Sequence, residues 1–391
     1  MNKQYYSPLE LNNSFWRELK NKCPELKDIS ITGLETVGDD LEGNYSGLFK
    51  YQGLESFRLR GHIANAPYMQ RLDKLIDNFS TSSPFIHTLS FHLSHCDVNG
   101  TADNGIFRKR YPHLRVLALQ NFTVEHPEVI SDFWSCHPNL EQIELLDVDG
   151  PCFEGLSSGT LPKLSVLMAS FDDVRTVVPL LGDQLINLTV TSSINAQVPY
   201  LLRSVLPDGL ASLRSLGIYQ LNAGKTVMED IWEGGHWHED EHGNVSQVSI
   251  ALRIDQTYIM SIARGAPNLE ELELIGECQE SITSALSMFS NLKRLYISGD
   301  RYPQGIPNQH FIPTISRRSF LENALEFAHG CATLESITKI TDRYYRNIHV
   351  RAKIQRNEDG IFSIYERPGC GRMIGLEDLV SVSDDGLMQP H

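Results

Sequence analysis

The stretch HPNLEQIEL, residues 137–145, sets Leu140, Ile143 and Leu145 at the first, fourth and sixth places of the pattern L-x-x-L-x-L. The last two apolar residues alternate with polar ones, as on a short strand with one face packed and the other open. The same spelling returns along the chain as CPELKDISI (23–31), YQGLESFRL (51–59), YPHLRVLAL (111–119), LPKLSVLMA (161–169), APNLEELEL (266–274) and FSNLKRLYI (289–297). Weaker copies are SPFIHTLSF (83–91), GDQLINLTV (182–190), LASLRSLGI (210–218) and GNVSQVSI (243–250). The first apolar position falls at Leu26, Leu54, Ile86, Leu114, Leu140, Leu164, Leu185, Leu213, Val245, Leu269 and Leu292, in steps of 21 to 32 residues. A further copy, CATLESITKI, begins its pattern at Leu334 after a step of 42 residues and has Lys339 in an apolar slot, so the regular array is expected to end there.

A step of about 26 residues is the period of leucine-rich repeats. Between the strands lie runs with apolar residues at helical spacing: FWRELKNKC (15–23), EVISDFWSC (128–136), YIMSIARG (258–265), ITSALSMF (282–289) and FLENALEFAHG (320–330). Gly265 and Gly330 read as helix-ending residues. Strand then helix, repeated, implies an α/β solenoid: a horseshoe with a parallel concave sheet and outer helices, in which no unit buries its apolar face alone. The Asn or Cys that ties up the turn in regular repeats is mostly absent. Phe122, Val148, Ser193 and Leu221 stand in its place, so the turn backbone must find other partners.

Repeats of this length with x-P-x-L-x-x-L-x-L leads, aromatic helices and a poor turn consensus resemble the leucine-rich half of F-box proteins. They are most similar to the sets found in mushroom-forming (basidiomycete-type) fungi, where Cys-Pro-x-Leu and His-Pro-x-Leu leads are common. The resemblance covers roughly residues 14–340. It implies a ribonuclease-inhibitor-like horseshoe and a role as the substrate-binding part of an SCF-type ubiquitin ligase receptor. The alternative is a stand-alone scaffold or regulator with no ubiquitin link. The F-box itself, which binds a Skp-type adaptor, would lie upstream of the repeats, and YYSPLELNNS (5–14) is too short to be one. Adaptor binding is therefore expected only if upstream sequence supplies it.

Residues 1–13 read as a lead, 14–345 as the irregular array, 346–370 as a hairpin cap and 371–391 as an acidic, poorly ordered tail. The cap is read from IHVRAKIQR (348–356) and IFSIYER (361–367), which alternate around NEDG. With 49 acidic and 34 basic residues, a net charge of −15 and no basic run, the chain is not expected to bind nucleic acid. No apolar stretch is long enough for a membrane span and no secretory leader is legible, so a cytoplasmic or nuclear monomer is expected. The seven cysteines are odd in number and scattered, which reads as reduced thiols.

Three motifs suggest chemistry and none is expected to perform it. His238-Glu239-Asp240-Glu241-His242 spells HExxH, but it lies between Gly234-Gly235 and Gly243, too short for the packed helix that a zinc protease needs. GLSSG (155–159) centres on Ser157 without the strand and helix of a nucleophile elbow. Cys370 in PGCGR reads as a glycine-rich exit from the hairpin. No catalysis, metal or cofactor is expected.

Function then falls to the outward strand positions, the third, fifth and seventh of each unit. As a protein-binding face they offer Arg58, Arg60, His92, Gln120, Glu144, Met168, Tyr219, Glu271, Glu273, Arg294 and Tyr296. Asp28, Ser30, Leu146, Ser170, Asn187 and Thr189 complete the lining. Arginine and aromatic side chains are the usual anchors, which favours Arg58, Arg60, Tyr219 and Tyr296.

Overall fold

The computed structural model describes residues 13–34, 48, 51–62, 67–94, 105–120, 122, 124, 126–148, 150–181, 184–191, 198, 209–219, 238–239, 245–246, 253–275, 277–278, 282–298, 317–340, 349–356 and 362–369. The chain is α/β with a mostly parallel sheet, and it divides into two compact units. One takes Met1–Leu164 with Thr176–Leu181, the other Ser165–Arg175 with Gly182–His391.

In the first unit come α1 (Asn13–Lys22), β1 (Asp28–Leu34), β2 (Ser56–His62), α2 (Pro67–Ser82), β3 (Thr88–Ser94), β4 (Val116–Gln120), α3 (Pro127–Cys136) and β5 (Gln142–Leu146). Its strands pair in chain order and in parallel, with Ile29 beside Phe57, Phe57 beside Leu89, Leu89 beside Leu117 and Leu117 beside Ile143. The fourth position of the repeat thus forms one ladder. These side chains are almost wholly buried, as are the first-position Leu54, Ile86, Leu114 and Leu140. Aromatic rings thicken this core: Phe57 against Phe79 and Phe91, and Trp134 stacked on Phe153 with its Nε1 donating to the Cys152 carbonyl at 2.7 Å.

The second unit contains β6 (Val166–Ser170), followed by α4 (Phe171–Leu181), which runs across the boundary. Next come β7 (Asn187–Thr191), β8 (Ser215–Tyr219), β9 (His238–Glu239), β10 (Val245–Ser246), β11 (Arg253–Ile254), α5 (Gln256–Gly265) and β12 (Glu271–Ile275). The last are β13 (Glu277–Cys278), α6 (Thr283–Leu286), β14 (Arg294–Ser298), α7 (Arg317–Gly330), β15 (Ser336–Ile340), β16 (His349–Arg356) and β17 (Phe362–Gly369). β6, β7, β8, β12, β14 and β15 are parallel neighbours in that order, with Leu167, Leu188, Leu216, Leu272, Leu295 and Ile337 in one ladder. β16 then runs antiparallel to β15, and β17 antiparallel to β16. The two alternating stretches after residue 347 are these strands. The tail 371–391 and Cys370 lie outside the described residues.

One device launches most of the strands. A turn closes from the N–H of the first-position residue to the carbonyl three residues back: Leu26 to Cys23, Ile86 to Ser83, Leu114 to Tyr111, Leu140 to His137, Leu164 to Leu161 and Leu269 to Ala266. Proline holds the second place in each of these, where its fixed φ suits the turn. Ala211 and Ala332 hold it in the turns to Leu213 and Leu334. Asn139 Nδ2 donates to the Pro112 carbonyl, Asn268 Nδ2 to Ala211, and the Ser212 and Thr333 hydroxyls to Leu185 and Leu292. Backbone acceptors at these lead-in turns are thus satisfied from the neighbouring repeat.

One expectation needs correction. GNVSQVSI does not supply a strand to the main sheet: β8 pairs directly with β12, while Val245 and Ser246 lie antiparallel to Glu239 and His238. Period-two alternation suits any strand and does not say which sheet the strand joins. The parallel array ends at this copy: β15 pairs in register with β14 through Lys339, and β16 is antiparallel to it. Gly265 and Gly330 end their helices as the sequence suggests, without left-handed backbone. A Cβ on Gly330 would lie 2.4 Å from the Thr283 carbonyl oxygen, so close helix approach explains that glycine.

Candidate partner-binding face

Strand alternation sends the third, fifth and seventh positions to the side opposite the leucine ladders. In the first unit, β2 offers Arg58, half-buried, and Arg60, exposed. Arg58 has Ser30 and Ser90 as register neighbours, and Arg60 has Thr32 and His92. Gln120 follows His92 on β4, half-buried, while Glu144 on β5 is buried. Ser30 and Thr32 are exposed and Ser90 is buried. The patch is basic and hydroxyl-rich, with Asp28 set opposite Ser56 at its near corner.

In the second unit the same side is polar but mostly closed. Asn187, Thr189, Thr191, Ser215, Met168 and Tyr219 are all buried. Gly217 stands between Thr189 and Glu273, and a Cβ there would come 3.0 Å from the Thr189 hydroxyl oxygen. Glu271 forms an ion pair with its register neighbour Arg294, whose side chain is more exposed. Glu273 is 4% exposed, beside Tyr296 in register. Burial pushes its carboxyl up to about 8, with Glu271 adding to the rise, while the Tyr219 hydroxyl donates to it and opposes the shift. Its Oε2 has no hydrogen-bond partner. A carboxyl in this state is largely neutral at pH 7. Burial also raises the Tyr296 phenol, helped by Glu271.

Of the eleven residues read from the sequence, the structure therefore places Glu144, Met168, Tyr219 and Glu273 in buried positions. Arg58, Arg60, His92, Gln120, Glu271, Arg294 and Tyr296 keep surface. Arg58, Arg60, His92 and Gln120 share a face in the first unit, and Glu271, Arg294 and Tyr296 share one in the second. No family model matches the chain, and no curated protein does.

Sequence reading passed over two features. The residues just after several first-position leucines form pairs of complementary charges between neighbouring strands. Lys27 meets Glu55 at 2.6 Å, Arg115 meets Glu141 through two bonds of 2.9 and 2.7 Å, and Lys293 meets Glu270 at 2.9 Å. The Lys27 and Arg115 pairs hold register between strands of the first unit, and their charges were legible once aligned. The second feature is His137, buried in a lead-in turn, whose Nδ1 donates to the Phe133 carbonyl at 2.6 Å and whose Nε2 accepts from the Tyr111 N–H at 2.9 Å. Burial holds its imidazole below the usual range.

The motifs that spelled chemistry are placed as follows. His238 and Glu239 are extended in β9, whereas HExxH zinc ligation needs a helix. His236 and His242 lie outside the described residues. Ser157 is exposed in a turn whose flanking Gly155 and Gly159 have φ of 75° and 80°, and its carbonyl accepts from Thr160. Among the described residues, no three His, Cys, Asp or Glu gather as a metal site, and no helix is long and apolar enough to cross a membrane.

Proposed function

We propose that the chain is a protein-recognition module of the leucine-rich-repeat type, acting as the substrate-binding part of an F-box-type ubiquitin ligase receptor. The observation that carries the recognition reading is the asymmetry of the first unit's sheet. One face is sealed by the leucine ladders, and the other presents Ser30, Thr32, Arg58, Arg60, His92 and Gln120 with partial or full exposure. Side chains on paired strands are held in fixed register, so they bind with little loss of conformational freedom. The ubiquitin role is supported by the resemblance of the Pro-x-Leu repeats to F-box proteins. A stand-alone scaffold or regulator is the second reading, and the same face would serve it.

A photo-crosslinking residue at Gln120 tests the recognition reading, with one at Asn139 in the lead-in turns as control. Capture of one partner from Gln120 but not from Asn139 is expected, and equal capture would reject the face. The ubiquitin reading predicts that the captured partner is ubiquitylated in cells in proportion to the level of this protein. It also predicts that a Skp-type adaptor co-purifies with this protein expressed from its native gene. A partner whose modification is indifferent to this protein leaves the scaffold reading.

A further inference from the structure

We infer that Arg58 and Arg60 form a two-point docking site for an extended partner segment carrying carboxylates at alternate residues. The inference rests on the partner-binding reading of the first unit's face and names the chemistry it would select.

Basic residues beside the described parallel strands generally meet an acid. Lys27 pairs with Glu55, Arg115 with Glu141, Lys293 with Glu270 and Arg294 with Glu271. Arg58 and Arg60 break that rule. Their register neighbours are Ser30 and Ser90, then Thr32 and His92, and neither arginine forms an ion pair among the described residues. This occurs in a chain with 49 acidic and 34 basic residues, where acids are the more abundant partner. Arg58 is also half-buried, beside the buried Ser90. Hydroxyl neighbours can accept hydrogen bonds from a guanidinium but cannot balance its charge, so a partly desolvated arginine gains from an incoming anion.

The spacing selects the form of that anion. Positions 58 and 60 leave the same face of one strand, about 6.6–6.8 Å apart along it. Each cation stands between its own two register neighbours, none of them an acid, which makes two separate points and not one focus. An extended peptide repeats its side chains with the same two-residue period. Carboxylates at residues i and i+2 would therefore reach one guanidinium each, and each pair can be bidentate. Adjacent carboxylates point to opposite sides of an extended segment and could satisfy only one arginine.

The test uses the full chain and labelled ten-residue Ser/Gly peptides in fluorescence anisotropy at low salt. One peptide carries Glu at i and i+2, one at i and i+1, one Gln at i and i+2, and one a single phosphoserine. The alternate-Glu peptide should bind at least roughly fivefold tighter than the adjacent-Glu and Gln peptides, with affinity falling as salt screens the pairs. Arg58→Gln with Arg60→Gln should weaken it about tenfold or more with an unchanged melting curve, and the double lysine variant should fall between because it loses the planar fork. Equal binding of the two Glu isomers would reduce the site to diffuse attraction and overturn the inference. Tighter binding of the phosphoserine peptide would overturn it in favour of a single anion focus. If Gln120 crosslinking captures a partner while no acidic peptide binds, the carboxylate inference fails alone. If neither occurs, the recognition reading fails with it.

Discussion

His137 and Glu273 are two buried ionisable side chains whose folded environments oppose their charge, and they respond to pH in opposite directions. Desolvation lowers the His137 value, an effect strengthened by Arg110 and opposed by the bond to the Phe133 carbonyl. The unfolded chain therefore takes up the proton first. The neutral imidazole's contribution is intact above the ordinary histidine value of about 6.5 and is lost as pH falls below it. His137→Gln should cost about 1–3 kcal/mol at pH 7.5, the usual effect of disturbing buried hydrogen bonds. The gap in melting temperature between the two proteins should narrow by pH 5. A gap independent of pH would mean that the imidazole does not titrate with unfolding. Glu273 runs the other way, because its folded value is raised to about 8. Its contribution is complete below the ordinary carboxylate range and is lost as pH rises toward 8. Glu273→Gln keeps an oxygen to accept from the Tyr219 hydroxyl and removes the ionisation. It should raise the melting temperature at pH 8 and leave it nearly unchanged at pH 4. Equal effects at the two pH values would show that the carboxyl is not held neutral. Sequence patterning placed Glu273 on the outward side correctly by alternation, but alternation says nothing of what covers that side. His137 was legible only as one more residue before a proline.

At the scale of the element, the lead-in turn and the close of α7 make predictions of opposite sign two residues apart. In six of the turns closed by a first-position N–H, proline sits second, and Ala332 takes that place before Leu334. Ala332→Pro should stabilise by about 0.4–1 kcal/mol, since the substitution narrows the unfolded ensemble and the other turns already accept it. Gly330→Ala should destabilise by about 1–3 kcal/mol as an overpacked contact. Its Cβ would meet the Thr283 carbonyl oxygen at 2.4 Å and the Thr283 methyl at 2.8 Å, and the carbonyl oxygen cannot swing aside as a side chain would. Urea melts of the two variants settle both, and a stabilised Gly330→Ala would show that α7 and α6 are not so closely apposed. Helices were harder to read than turns. In α4, Val174, Thr176, Val177 and Val178 are β-formers and Pro179 is a breaker, yet Ser170 caps the helix by accepting from the Asp173 N–H at 3.2 Å. In α2 the apolar Leu75, Ile76 and Phe79 are buried at helical spacing, a signal present in the sequence and passed over.

Over the whole molecule, repetition made the fold legible and the site only half so. Most of the parallel strands repeat the same turn, buried positions and pairing, so one unit read correctly gives its neighbours. The exceptions are places where the local pattern fits but the strand pairs elsewhere, as at Val245. Which outward residues remain open depends on packing between segments far apart in sequence, and no period encodes that. The two candidate surfaces differ in how firmly they are held, Arg58 and Arg60 on one side and the His-rich stretch at 235–242 on the other. The arginines leave a strand paired on both sides, and among the described residues neither forms an ion pair with an acid. His238 and Glu239 lie in a strand of two residues held by one equally short partner, which gives little to pre-organise a binding surface. For the partner captured by crosslinking at Gln120, Arg58→Glu with Arg60→Glu should weaken binding by about thirtyfold or more, a hot-spot loss made larger by repulsion of the partner's acids. Deletion of 235–242 should change it by no more than about twofold, the range of surface changes away from a site. Calorimetry on variants with matched melting curves decides between them. The reverse ranking would move the site to the insertion and reject the strand face.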